Sequence, residues 1–222
     1  MCGRFSLLAH QEMLRERFNI AEFEFDISPR YNIAPSQKIA TVINYDVLKL
    51  VGMRWGFIPF WAKDMKIGNK MINTRAETVA EKRVFKHSFL KKRCLIPATG
   101  FYEWKKTSDG KTPMHIRMDS DQVFAFAGIY SQWKSPSDSI ILSCSIITTT
   151  PNSLMKPIHN RMPVILKQDD ESTWLDPEFD DIETLKELLR PYSDESLEAF
   201  EVSTHVNNPR NDDPMCVRPI TS

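Results

Sequence analysis

Cys2 is the residue whose position offers the most unusual chemistry. The side chain at position 2 is small and Gly3 follows it, so removal of Met1 would leave Cys2 as the first residue. Its amine and thiol would then lie on adjacent carbons, a pair that no internal residue provides. With reference pKa values of roughly 8 for an α-amine and roughly 8.5 for a thiol, both groups are partly nucleophilic near neutral pH. The sequence therefore predicts attack by Cys2 on a carbonyl carbon.

Two classes of carbonyl compound remain open at this point. Against an aldehyde, the amine forms an imine and the thiol closes a five-membered thiazolidine ring. Against an amide, the thiol is the nucleophile and the amine its base, as in hydrolases with an N-terminal nucleophile. Position alone does not separate these reactions, or either of them from an ordinary residue beside a start codon.

Glu103 and His159 are candidates for proton transfer. Strand alternation places Glu103 on the face of Phe101 and opposite Tyr102 and Trp104. Burial among aromatic rings favours the protonated carboxyl and predicts a general acid, whereas an exposed strand-edge glutamate is the alternative. His159 lies in a proline-bounded turn, where its imidazole can carry protons or be purely structural.

Further residues suit the binding of a phosphate or a base. Asn73 and Arg75 share a face if the chain is extended, which places an amide beside a guanidinium suited to phosphate. The aromatic residues of segment 55–61, which ends at Trp61, predict either a surface on which bases stack or ordinary core packing.

The length and composition of the chain indicate an intracellular protein whose core can position these residues. The chain of 222 residues is 41% hydrophobic, which suffices for a substantial core, and we expect a single domain over residues 1–222. Residues 1–20 lack the apolar run of a secretory signal, and no stretch approaches the roughly 20 apolar residues that cross a bilayer. We therefore expect a soluble, cytoplasmic protein.

Charge is unevenly distributed, although the formal net charge is zero. Residues 54–94 contain 11 Lys or Arg and 3 Asp or Glu, whereas residues 169–201 contain 2 basic and 13 acidic residues. The first region would attract phosphate and the second would repel it, unless both are simply solvated faces.

The four cysteines have neither the spacing of a zinc site nor the density of a disulfide framework. We expect reduced thiols, with Cys94 and Cys144 as small core residues, and we leave Cys216 unassigned. The five histidines predict no metal cluster.

Periodicity predicts mostly strands with a few helices. A helix is expected over residues 7–18 with Ser6 as its N-cap, a hairpin over 39–45 and 47–54, and a long loop over 55–70. The remaining predicted elements are a helix at 84–92, strands at 94–105, 113–118, 123–130, 140–149, 163–167 and 200–203, a turn at 108–110, and helices at 170–175 and 181–189. This succession predicts an α+β fold whose largely antiparallel sheet is curled or barrel-like, with peripheral helices.

An ordered set of six motifs, which spans nearly the whole chain, resembles the SRAP family of SOS-response-associated proteins. The motifs are MCGRF at 1–5, YNIAP at 31–35, WG at 55–56, NTRAET at 73–78, GFYEW at 100–104 and HNRMP at 159–163. The resemblance implies that Cys2 cross-links to abasic sites in single-stranded DNA and that Asn73 holds its reacting groups. It also implies that Glu103 and His159 carry protons.

By the same resemblance, six further residues contact or shape the path of the DNA. Phosphate or nucleotide contacts are implied for Arg4, Arg75 and Arg161, and a role in shaping the DNA channel for Pro35, Trp61 and Thr148. No cofactor or metal is expected, because an aminothiol and an aldehyde react without either. We expect a monomer without a membrane partner, although the sequence does not fix the oligomeric state, and association with the nucleoid on DNA if the source is a bacterium or a phage. The acidic region after Asp169 adds little to the match.

Three other functions compete with this one. A class II amidotransferase-like hydrolase also begins Cys-Gly, but we identify neither an oxyanion site nor a glutamine pocket in the sequence. A peptidase limited to removing its own Met1 uses the same amide chemistry. A non-enzymatic single-strand binder would use Arg75 and the aromatic loop, and its binding would not depend on Cys2.

Overall fold

The computed structural model describes residues 2–108, 110–120 and 122–220. The strands in this part of the chain are β1 Phe5–Leu7, β2 Glu22–Phe23, β3 Arg30–Ile33, β4 Lys38–Tyr45, β5 Val47–Trp55, β6 Asn73–Arg75, β7 Arg93–Ala98, β8 Gly100–Thr107, β9 Gly110–Met118, β10 Phe124–Lys134, β11 Ile140–Thr149, β12 Met162–Pro163 and β13 Leu197–Glu201. The α-helices there are α1 Gln11–Phe18, α2 Ala76–Val79, α3 Arg83–Lys91, α4 Gln168–Leu175 and α5 Ile182–Glu187.

The strands form two sheets, one of which closes on itself. In the larger sheet β7, β4 and β5 pair in that order, β10 and β11 pair beyond β7, and β11 returns to pair with β5 in parallel. These five strands complete a small barrel, as the predicted curled sheet requires. The second sheet has the order β13-β9-β8-β1-β3 and is antiparallel in all its pairings.

Aromatic packing fixes the second sheet against the barrel. The ring of Phe5 in β1 lies edge-on to Trp55 and Phe126, with centroid distances of 5.3 and 5.8 Å. Phe101 in β8 meets Phe126 in the same way at 6.1 Å. Since all four rings are buried, they tie the strands at the start of the chain to the main core.

The opposite face of the second sheet carries a smaller core. Tyr102 of β8 packs there with Val202, Val206 and Cys216, under the last part of the chain. Phe101 and Tyr102 thus face different cores, which confirms the predicted alternation along this strand.

Two predicted elements are wrong, and both lie next to strands of the second sheet. The predicted helix over residues 7–18 begins only at Gln11, because residues 5–7 pair as β1 instead. Ser6 is therefore not a helix cap; its hydroxyl lies buried 3.1 Å from His115. The predicted strand over residues 94–105 is divided at Thr99, where the chain passes from the barrel strand β7 to β8.

Most other predictions of elements are confirmed. The hairpin of β4 and β5 turns at Asp46, whose φ of 61° is left-handed, and β11 has the predicted bounds. Helices α3, α4 and α5 and strand β13 differ from prediction by a few residues at their ends. The predicted turn at residues 108–110 includes Asp109, which lies outside the described residues. None of the described helices combines the length and the hydrophobicity of a transmembrane span.

Candidate active site

Cys2 lies three residues before β1, which pairs between β8 and β3 in the second sheet. The amide of Tyr102 in β8 donates to the carbonyl of Arg4 at 2.9 Å, and continuing this antiparallel register brings the chain start alongside Glu103. Cys2 is fully buried, and its Sγ lies 3.8 Å from the Arg4 carbonyl oxygen. The sheet therefore fixes the position of the candidate nucleophile.

The environment of Cys2 keeps its thiol protonated. Burial raises the pKa of the thiol well above its ordinary value, and the nearby charge of Glu103 raises it further. A protonated thiol is a weak nucleophile. In this arrangement an α-amine freed by removal of Met1, a residue outside the described ranges, would be the better first nucleophile.

Asn73 forms a hydrogen bond with the backbone of Cys2. Strand β6 pairs in parallel with β11, with Asn73 opposite Ile146, and so carries Asn73 to the start of the chain. Its Nδ2 donates to the Cys2 carbonyl oxygen at 2.7 Å. This hydrogen bond orients the peptide unit that follows Cys2. The predicted role of Asn73 in holding the reacting amine and thiol of Cys2 stays a prediction.

Glu103 and His159 face each other beside Cys2. The Glu103 side chain is almost fully buried, and burial raises the pKa of its carboxyl. His159 Nδ1 lies 3.8 Å from Glu103 Oε1 and accepts the amide hydrogen of Arg161 at 3.1 Å. The same Nδ1 lies 3.3 Å from the Arg161 carbonyl oxygen, so the backbone of Arg161 fixes the orientation of the ring. The 3.8 Å separation is longer than a hydrogen bond, so proton transfer between the acid and the imidazole requires a closer approach or one bridging water.

Arg161 lies beyond His159, on a surface that also contains Arg75. The guanidinium of Arg161 donates to both carboxylate oxygens of Glu77, while Arg75 is exposed. Thr148, predicted to shape the DNA channel, is fully buried, and its hydroxyl donates to the Thr74 carbonyl. The Thr148 carbonyl also accepts a hydrogen bond from Arg161, so Thr148 supports a neighbouring residue of this surface. Its role in shaping the DNA channel stays a prediction.

The other three predicted DNA residues lie in different settings. Trp61 is 58% exposed and Pro35 is half-buried, so both are accessible, whereas Trp55 of the same aromatic segment is in the core. Within this segment Trp61 lies at the surface and Trp55 in the core, so each of the two alternatives, base stacking and core packing, fits one of them. Arg4 is half-buried, and its Nη1 donates to Asn32 Oδ1 at 2.7 Å and to the Val206 carbonyl at 2.8 Å. These bonds hold the C-terminal segment in place.

Comparison with known proteins assigns the chain to a family. The model of the SRAP family, described as SOS response associated peptidase, matches residues 1–209. The chain belongs to the SRAP family. It is 50% identical over 219 residues to the Abasic site processing protein YoqW of Bacillus subtilis, covering 96% of this chain and 97% of that protein. It is 31% identical to the Abasic site processing protein HMCES of Xenopus tropicalis, covering 86% of this chain and 66% of that protein.

A solved structure has the same fold as this SRAP chain. A protein from Bacteroides thetaiotaomicron superimposes with a TM-score of 0.88 at 28% sequence identity, covering 99% of this chain and 100% of the other. The motifs that carry Cys2, Asn73, Glu103 and His159 converge on one site of this fold. Their chemical roles stay predictions.

The sequence prediction missed a basic groove beside the SRAP site. A cavity of about 600 Å³ opens next to Glu103 and His159, and its walls include Lys106, Lys111 and Lys156. The lysines come from β8, from β9 and from the turn before His159. The signal at residues 108–110 predicted a turn between two strands, and it did not identify these lysines as a group.

Three side chains of the types that bind metal ions also lie close together among the described residues. His205, Asp213 and Cys216 place one donor atom each within 4.8 Å of one another. His205 Nε2 and Asp213 Oδ2, however, are already hydrogen-bonded at 2.8 Å, and Nδ1 of His205 lies 3.1 Å from the Asn211 amide nitrogen. This arrangement is that of a polar clamp on the C-terminal segment, and the predicted absence of a metal remains a prediction.

Proposed function

We propose that this protein senses abasic sites in single-stranded DNA and attaches to them covalently through Cys2, protecting the lesion during the response to DNA damage. The observation that carries the proposal is the hydrogen bond from Asn73 to the Cys2 carbonyl, with Glu103 close to the thiol. A site that orients its first peptide unit beside a buried acid suits chemistry at the chain terminus. The names of the relatives, abasic site processing proteins, support the same substrate.

The reaction starts with the ring-opened deoxyribose, whose C1 is an aldehyde. After removal of Met1, the Cys2 amine adds to this carbon, and loss of one water gives an imine. The thiol then adds to the same carbon, and its proton passes to the nitrogen as the thiazolidine ring closes. The high pKa of the buried thiol fits this order, with the amine first and the sulfur second.

The neighbouring side chains divide the proton transfers. Glu103, whose pKa is raised by burial, is the acid that protonates the ring oxygen when the sugar opens. His159 carries protons when the imine forms and when the adduct reverses. Asn73 holds the Cys2 carbonyl and thereby fixes the amine relative to the aldehyde.

The DNA strand reaches the site across the surface of Arg75, Arg161 and Trp61. The exposed Arg75 and the paired Arg161 bind phosphates, and the exposed Trp61 stacks on a base beside Pro35. Arg4 anchors the C-terminal segment through its Nη1, and its Nη2 is the group that contacts a nucleotide.

Two further activities follow from the same intermediate and site. An imine at C1 permits β-elimination, so we propose a weak abasic-site lyase activity. The site also has the components to cleave the bond after Met1, in keeping with the peptidase in the family description. Absence of strand cleavage by Cys2→Ser, which retains the amine, would count against the lyase activity.

The test uses single-stranded DNA with one abasic site, analysed on a denaturing gel. We expect a heat-stable shifted band with the wild-type protein and none with Cys2→Ala, with mass spectrometry confirming that Met1 is absent. No band from a processed wild-type protein would refute covalent capture. Glutamine turnover would then favour the amidohydrolase, and salt-sensitive DNA binding unaffected by Cys2→Ala would favour the simple binding module.

The role of His159 has its own test. His159→Ala should form the cross-link more slowly and release DNA more slowly than the wild type, because both steps need a proton carrier. Equal rates of formation and release would refute this role while leaving the cross-link itself intact.

A further inference from the structure

Two lysines face each other on the hairpin beside the candidate active site. Lys106 of β8 and Lys111 of β9 are direct cross-strand partners, and both are exposed. Like charges directly opposite on neighbouring strands destabilise a sheet. Among the described residues no carboxylate forms an ion pair with either lysine. An anion bound between them would remove this repulsion.

A third lysine completes the groove. Lys156 lies in the turn that leads to His159 and lines the same cavity as the two hairpin lysines. The cavity between the walls measures about 600 Å³, within the range of roughly 300 to 1,000 Å³ that ligand sites occupy. Among the described residues lining it, Glu103 is the one carboxylate, at the end nearest to Cys2.

The groove is continuous with the catalytic residues and separate from the DNA surface predicted from the sequence. Glu103 and His159 line it, whereas Arg75, Arg161, Trp61 and the other residues of that surface are absent from its described lining. Trp104 also lines the groove, in a half-buried position where a ring face can receive a base. A strand whose abasic sugar lies at Cys2 would thus meet the positive charge of this groove in addition to that of Arg75 and Arg161.

We propose that Lys106, Lys111 and Lys156 form a second phosphate-binding site, which holds the sugar-phosphate backbone of the DNA on one side of the abasic nucleotide. The proposal rests on the proposed function and extends it. Lysine is a point charge that contacts phosphate without reading sequence, so the groove contributes affinity and strand placement without sequence preference.

The first test measures reversible binding in the Cys2→Ala background, so that no covalent product forms. The triple variant K106Q/K111Q/K156Q is compared with K134Q/K167Q/K186Q, which removes the same charge at exposed positions outside the groove. The slope of log affinity against log salt should fall by about 2 in the groove variant, at roughly 0.7 per single-strand phosphate contact. An equal fall in both variants would overturn the proposal, because it would reflect net charge alone.

The second test uses position along the strand, in proteins with Cys2 intact. Oligonucleotides carry the abasic site at either their 5′ or their 3′ end, so that flanking DNA extends to one side only. The groove variant should cross-link more slowly than the control variant with one of the two oligonucleotides and at the same rate with the other. Equal rates with both would refute the groove site. Absence of any cross-link with wild-type protein would instead refute the proposed function, so the two failures are distinguishable.

Discussion

The guanidinium of Arg161 is bound by the two carboxylate oxygens of Glu77, with Nη1 to Oε1 at 2.6 Å and Nη2 to Oε2 at 3.0 Å. A phosphate accepts from arginine in the same bidentate geometry. The Arg161 side chain is 12% exposed and that of Glu77 46% exposed, so the carboxylate is the outer partner. Glu77 therefore occupies the donors that a DNA phosphate would use.

The first prediction concerns this pair. Glu77→Gln should increase the affinity for single-stranded DNA several-fold, because it removes a negative charge that competes with phosphate for Arg161. Fluorescence anisotropy in the Cys2→Ala background measures this affinity, with Glu81→Gln as the exposed control. Weaker binding by Glu77→Gln would show that Glu77 serves only to orient Arg161.

The same pair predicts a dependence of stability on pH. The hydrogen bond from Arg161 holds the pKa of Glu77 below its usual value of 4.5. A carboxyl with a depressed pKa contributes stability above its unfolded pKa and loses it as the pH falls through the folded value. The wild type should thus exceed Glu77→Gln in free energy of unfolding by at most about 1 kcal/mol at neutral pH, since the carboxylate is half exposed. Denaturant titrations should show this difference vanishing in acid.

A second prediction concerns Asn73. Asn73→Ala removes the donor to the Cys2 carbonyl, a bond worth about 0.5–1.5 kcal/mol, so the cross-linking rate should fall roughly two- to tenfold. Asn73→Asp should be slower still, because it places an acceptor against that carbonyl. Single-turnover rates at saturating DNA measure both effects. An aspartate variant as fast as the wild type would contradict the positioning role.

A third prediction is that replacing Glu103 affects stability and activity differently. Burial raises the pKa of this carboxyl, so the stability it contributes is present below its unfolded pKa and is lost as the pH rises through the folded value. Glu103→Gln should consequently be at least as stable as the wild type near pH 8 and yet cross-link far more slowly. Thermal unfolding and gel rates measure the two properties, with Glu201→Gln as the exposed control. A less stable variant would refute the burial argument.

A fourth prediction tests the link between the core and the site. Phe5 is buried between Trp55 and Phe126, so Phe5→Ala should cost about 3–5 kcal/mol of unfolding free energy. Cross-linking should fall even at temperatures where the variant stays folded, because β1 sets the position of Cys2. Phe5→Leu should lose much less of both. Full activity in a folded Phe5→Ala would show that Asn73 alone positions the chain start.

The sequence singled out four candidate residues that the fold brings together, and their chemical roles stay predictions. The side chains of Cys2, Asn73, Glu103 and His159 could be singled out because their chemistry depends on residue type and local pattern. The buried position of Ser6 could not, because its hydrogen bond to His115 depends on two strands separated by about a hundred residues. At Ser6 the pairing of strands that are distant in sequence outweighed the helical spacing of the nearby apolar residues.

The basic groove shows the same limit. Lys106 and Lys111 are five positions apart, and their opposition depends on the register of β8 and β9, which a hydrophobic pattern does not specify for two polar tips. Lys156 joins them only through the tertiary fold. The β4–β5 hairpin, in contrast, was predictable because strong apolar runs flank a turn at Asp46.

The placement of β1 between β8 and β3 has a mechanical consequence. If DNA is attached at Cys2, tension on the strand acts on the very start of the polypeptide. That force must separate β1 from both β8 and β3 and withdraw the ring of Phe5 from the core before the protein unfolds. A motor enzyme moving along the DNA would therefore meet an obstacle that resists unfolding, and forced unfolding from the N-terminus should require more force than unfolding from the C-terminal end.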